Sequence, residues 1–148
     1  MTTLLITKFI ASFCCLIFAG AAIYINLVEH PARMACGTQL AATVWAPSYK
    51  RATLMQAPLA LLSFLAGVLT WWLGAGGWWL VGALLIGLVI PFTFMVIMPT
   101  NQQLLTPGRD LASAETRALL VKWAQLHAVR SVLSTAAALI FLIQLLRA

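Results

Sequence analysis

Trp123, His127, Arg130 and Ser134 recur at spacings of four, three and four residues, so a helix would carry them on one face. The apolar run from Ser131 to Leu146 places that face about one turn inside the edge of a membrane span. An imidazole titrates near neutral pH and can take up a proton, and a guanidinium can hold an anion as it develops. At membrane depth both groups are costly unless they meet partners or water, which makes them functional candidates. A second polar face closes the first apolar segment, where Asn26, Glu29, His30 and Arg33 fall within an arc of about 100°. Asn101 stands at the exit of the third segment, beside Pro99. General acid–base chemistry next to a cation that stabilises an oxyanion is what these residue types allow.

The elements that must position them follow from composition. Of 148 residues, 63% are hydrophobic and 8% charged, against about 25% charged in a soluble domain. A water-soluble globule is excluded. Four segments, Leu4–Val28, Thr53–Leu73, Trp78–Met98 and Lys122–Leu146, reach the roughly 20 residues needed to cross a bilayer. The expected fold is all-α, a four-helix transmembrane bundle forming one domain over residues 1–148, with the lipid bilayer as its first partner.

The net charge of +6 does not imply nucleic acid, because the basic residues form no run and have no interleaved aromatics. Arg33, Lys50, Arg51, Arg109, Arg117 and Lys122 fall in the two longer loops, which the positive-inside rule places in the cytoplasm of a multi-pass protein of the cell membrane. The apolar run Phe9–Val28 exceeds a signal-peptide core, so the first segment is read as a retained span. Cys14, Cys15 and Cys36 make neither a disulfide framework nor a zinc spacing.

Pro31 is expected to kink or end the first helix and to free carbonyls near His30. The stretch Met34–Ala52 reads as a loop, with Trp45 and Tyr49 as interfacial anchors or as a lid. Trp71, Trp72, Trp78 and Trp79 read as an aromatic belt on the opposite side, and Phe92, Phe94, Met95 and Met98 as a pocket wall or a packing surface. Ser113 looks like the N-cap of a final helix. A small-residue seam of Ala124, Ala128, Ser131, Thr135 and Ala138 should hold that helix against a neighbour.

Segments one, three and four thus bring Asn26, Glu29, His30, Arg33, Asn101, His127 and Arg130 to one end of the bundle. Structurally, Glu29 could simply pair with Arg130 or Arg33 while the histidines cap helix ends. Seven hydrogen-bonding side chains exceed what locking four helices requires, and a shared polar pocket is the expectation. Glu29, His30 and His127 could alternatively hold a metal ion or serve a haem. A non-enzymatic carrier of a lipid or quinone-like molecule is a further reading, although transporters place their sites nearer the midplane. A homo-oligomer is compatible with so short a chain.

The ordered pattern Asn26, Glu29, His30, Pro31, then Trp45, Tyr49, Arg51, then Pro91, Thr93, Met98-Pro99-Thr100-Asn101, then Trp123, His127, Arg130 resembles the DUF1772 family of small four-helix membrane proteins. That family includes the fungal anthrone oxygenases. The resemblance covers nearly the whole chain and implies oxidation of an apolar phenolic or polycyclic aromatic compound by O₂ without a cofactor. It suggests His127 as the base, Arg130 and Asn101 as oxyanion donors, and His30 and Glu29 as a proton relay. Asn26, Trp123, Trp45 and Tyr49 are then the candidates for substrate contact.

Overall fold

The computed structural model describes residues 2–147. Four helices account for nearly all of them: α1 Thr2–Ala35, α2 Thr38–Ala75, α3 Gly77–Leu104 and α4 Ala114–Leu146, each long and apolar enough to cross a membrane. No strand occurs among the described residues. The helices run up and down in a ring in which α1 packs on α2 and α4, and α3 packs on α2 and α4. The protein is an all-α bundle of membrane-spanning character.

Met34–Ala52 is not a loop. Only Cys36 and Gly37 separate α1 from α2, and Gly37 makes the reversal with a φ of 96°, where a side chain would be strained. The stretch is helical because Ala41, Ala42 and Trp45 recur at helical spacing and are buried. Pro47 lies inside this helix, on its exposed side. At 1.5 Å per residue, the 38 residues of α2 reach about 57 Å, well beyond a hydrocarbon core of about 30 Å. Lys50 and Arg51 therefore sit on a helix, not in a loop.

Pro31 does not end α1 either. The helix widens into a π-turn over Ile25–Glu29, where the His30 N–H donates to the Ile25 carbonyl, and then continues to Ala35. The same device recurs in α3, where a π-turn over Thr93–Ile97 closes with Met98 N–H on the Thr93 carbonyl and Pro99 follows. In both, the proline comes two residues after the turn. A π-turn inserts one residue and so accommodates the ring that would otherwise strike the preceding turn. Pro31 and Pro99 face outward, as do Leu27 and Met95, the residues four places earlier whose carbonyls lose their donor. The freed carbonyls thus lie on the outer surface rather than in a pocket.

Two core clusters fill the bundle. One, at the end of the α2–α3 turn, joins Phe18, Trp79, Ala83, Ile86 and Phe141. Here Phe141 stacks on Trp79 with centroids 5.2 Å apart and lies against Gly82, where an added Cβ would come 2.5 Å from its ring. Trp79 is consequently a core residue, 1% exposed, whereas Trp71, Trp72 and Trp78 are exposed as a belt requires. The other cluster joins Ile25, Trp45, Ile97, Leu120 and Trp123 at the far end, around the candidate residues. Ser113 caps α4 by accepting the Thr116 N–H at 3.1 Å.

Candidate active site

His127 is held from α1. Asn26 Nδ2 donates to the Ala124 carbonyl at 3.0 Å, and a carbonyl can only accept, so the amide orientation is fixed. Asn26 Oδ1 then faces both Ser131 Oγ, at 2.6 Å, and His127 Nδ1, at 2.7 Å. An amide oxygen can only accept, so a neutral His127 carries its proton on Nδ1 and leaves the Nε2 lone pair free. The π-turn containing Asn26 delivers that side chain to α4. The small seam on α4 admits it, since Ala124 and Ser131 both belong to the seam. Ser131 is thus a hydrogen-bonding member of the site as well as a spacer.

Arg130 has a neutral partner. Its Nη2 donates to Gln56 Oε1 at 2.8 Å, and its guanidinium lies 5.4 Å from the centre of the Phe18 ring. No carboxylate pairs with it among the described residues, and its Nε has no partner. Arginine only donates, so Gln56 must present its oxygen there, which leaves Gln56 Nε2 a buried donor without an acceptor. Each such unmet group costs about 1–3 kcal/mol. Gln56, 2% exposed, is the residue that sequence reasoning missed. The available signal was an amide within the otherwise apolar second segment.

The carboxylate nearby belongs to Arg33. Glu29 Oε1 takes Arg33 Nη1 at 3.2 Å, and Arg33 Nε donates to His30 Nδ1 at 3.2 Å. His30 therefore holds its proton on Nε2, which is buried and unpartnered. Trp123 is sandwiched at the centre of the group, 5.3 Å from His30 and 4.8 Å from His127 between ring centroids, with the Arg33 guanidinium at 5.6 Å. Trp45 meets Trp123 edge-on at 5.7 Å and stacks on Tyr49 at 5.2 Å. Trp45, 1% exposed, is a core side chain rather than an interfacial anchor.

Two internal spaces border this group. A polar cavity of about 30 Å³ is lined by Glu29, Arg33, Tyr49, Gln56, Trp123, His127 and Arg130, among others. An apolar cavity of about 90 Å³ is lined by Phe18, Ala57, Ile90, Phe94 and Met98, and it shares Tyr49, Thr53, Gln56 and Arg130 with the first. Of the expected pocket wall, Phe94 and Met98 line this space, while Phe92 and Met95 do not.

The structure thus brings Glu29, Tyr49, Trp123, His127 and Arg130 to one cavity. Asn26, His30 and Trp45 stand behind it, touching His127 or Trp123 from the far side. Asn101 is fully buried with both amide atoms unpartnered, and it borders neither cavity. Glu29, His30 and His127 do not form a metal-ligating cluster, because no group of three such ligands gathers among the described residues. Glu29 and His30 Nδ1 are instead engaged with Arg33, and His127 Nδ1 with Asn26.

The fold and site define a four-helix membrane bundle with a polar cavity at one end, on whose wall stand His127, with its Nδ1 held by Asn26, and Arg130, which has no carboxylate partner among the described residues. A sequence model of the anthrone oxygenase family matches residues 45–140, and the chain belongs to that family. The matched region includes Trp45, Tyr49, Gln56, Asn101, Trp123, His127 and Arg130, but stops short of the Asn26–Arg33 face. The chain is also 45% identical over 62 residues to the anthrone oxygenase tpcL of Aspergillus fumigatus, a match covering 40% of this chain and 38% of that relative. No solved structure matches.

Proposed function

We propose that this protein is a membrane-embedded oxygenase that converts a small apolar phenolic or polycyclic aromatic compound of the anthrone type to its quinone with O₂, and that it needs no cofactor. The observation that carries the reading is the pairing on one cavity wall of His127, with a defined free nitrogen, and Arg130, a cation without a carboxylate. His127 Nε2 takes a proton from the acidic methylene of the anthrone. The resulting enolate has its negative oxygen on Arg130. The electron-rich carbon passes its electrons to O₂ and forms a C–O bond, giving a hydroperoxide. Loss of water, with the second methylene proton, completes the quinone. Protonated His127 supplies the proton of that hydroperoxide, Glu29, on the same wall, exchanges protons between His127 and the outside, and Trp123 forms the cavity rim.

Similarity to an anthrone oxygenase over part of its length supports this choice of substrate class. The polar cavity suits dioxygen or one or two waters, since a water needs about 10–15 Å³ by the same measure. The basic residues at the site end favour a cytoplasmic placement for that end in the cell membrane. The test is quinone formation from an added anthrone in membranes holding the wild-type protein or His127→Ala. Loss of turnover in the variant supports the assignment. Equal turnover removes it, and anthrone bound without product would make the protein a carrier.

A further inference from the structure

Gln56 lies where three spaces meet. It borders the polar cavity, the apolar cavity, and an open groove between α1 and α2 that also holds Glu29, Ser48 and Arg51. Its oxygen is committed to Arg130 at 2.8 Å, and its Nε2 has no acceptor. Arg130 Nε has none either. A buried junction in which one N–H of a cation and one amide N–H have no acceptor selects an anionic or strongly electron-rich oxygen.

We propose that Gln56 and Arg130 form a two-donor cradle for the substrate's oxygen, with an outer ring in the apolar cavity, reached from the lipid between α2 and α3. The central ring lies at the shared wall, where its oxygen and its methylene, on opposite edges, meet Arg130 and His127. The inference rests on the phenolic aromatic substrate class argued above and specifies how that class is bound. The apolar cavity is the only one of the two whose lining suits rings, and Arg130 and Gln56 form the wall it shares with the cavity of His127. The space is bordered on its lipid side by exposed Phe94, where a guest ring enters. That side is adaptable. Phe94 is 64% exposed, Met98 is unbranched, and both adjoin the π-turn of α3. A compound dissolved in hydrocarbon reaches this side without crossing water. The groove with Glu29, Ser48 and Arg51 is left for water and protons.

The test uses the full-length protein in mild detergent and danthron, a planar hydroxyanthraquinone that is yellow as the phenol and red as the phenolate. Wild-type protein is expected to bind the dye and shift it toward red at a pH where free dye is yellow. Gln56→Glu sets a carboxylate against Arg130, which satisfies the cation but repels a second anion. It should abolish the shift and weaken binding roughly tenfold or more. Ala57 borders the apolar cavity and neither of the other two spaces, so Ala57→Trp, which crowds the ring site from one side, should weaken binding while leaving the colour of the bound dye unchanged. Should Gln56→Glu fail to fold, Gln56→Asn, which withdraws the amide by one methylene, is read by the same colour shift. A folded Gln56 variant with wild-type affinity and colour overturns the cradle, and unchanged affinity in Ala57→Trp overturns the ring site. Dye binding needs no turnover. If the wild-type protein forms no quinone from an added anthrone while the dye shift is present and is lost in the Gln56 variant, the oxygenase assignment falls and the cradle stands.

Discussion

Asn26 Oδ1 lies 2.7 Å from His127 Nδ1, although 101 residues of chain separate them. Because Asn26 is itself fixed by the Ala124 carbonyl and Ser131, it sets both the tautomer and the ring orientation of His127. Asn26→Leu should therefore lower kcat roughly a hundredfold, as a misplaced reacting group does, with little change in KM. Steady-state quinone formation checks this. A rise in KM at constant kcat would make Asn26 a substrate contact instead.

Arg130 offers a test of function against stability. A buried cation with a neutral partner is costly, and apolar replacement of such groups is often neutral or stabilising by about 1–4 kcal/mol. The double variant Gln56→Leu, Arg130→Met removes both members together. It is expected to unfold at the same or a higher temperature in detergent while losing turnover at least a hundredfold. Marked destabilisation would mean that the pair serves the fold.

Glu29 lines both the polar cavity and the groove toward the outside, and it is the partly exposed member of its pair with buried Arg33. Glu29→Gln should slow turnover and lower the unfolding temperature, since buried Arg33 loses its charge partner, but the amide oxygen can still accept from Arg33 and keep the protein folded. Added imidazole buffer should restore part of the rate if Glu29 carries protons. A rate independent of buffer would assign it to holding Arg33 alone.

At the opposite end, the Phe141 ring occupies the space over Gly82. Gly82→Ala should lower the unfolding temperature, and Phe141→Leu should relieve much of that loss in the double variant. Additive effects of the two changes would show that the ring does not fill that space. Phe141→Ala alone is expected to cost about 3–5 kcal/mol.

The four helices were legible in the sequence because each carries a long apolar run, and the polar end was legible because ionisable residues inside such runs are few. The helical state of 34–52 was not, since Pro47, Lys50 and Arg51 imitate a loop. Only their outward placement lets the helix continue past them. Trp79 differs from its neighbours Trp71, Trp72 and Trp78 by facing Phe141, a partner some sixty positions away that spacing alone could not indicate. Gln56 escaped notice because an amide reads as a tolerable polar residue until the arginine opposite it is known. Asn101 had every sequence mark of a site residue, yet it lies buried away from both cavities.

Of three π-turns among the described residues, one, Trp71–Ala75, closes α2. The two followed by a proline fall on α1 and α3, which stand diagonally across the ring, and both of these lie toward the end that holds the cavities. Away from them the bundle is locked by Phe141 against Gly82 and Trp79, where nothing can slide. The protein thus has an interlocked base and, from each of these π-turns onward, a short helical tip, Ile25–Ala35 and Thr93–Leu104. Breathing of those tips would loosen the roof over the cavities while the base stays fixed, so a bulky guest could be admitted and a flat product released without the bundle coming apart.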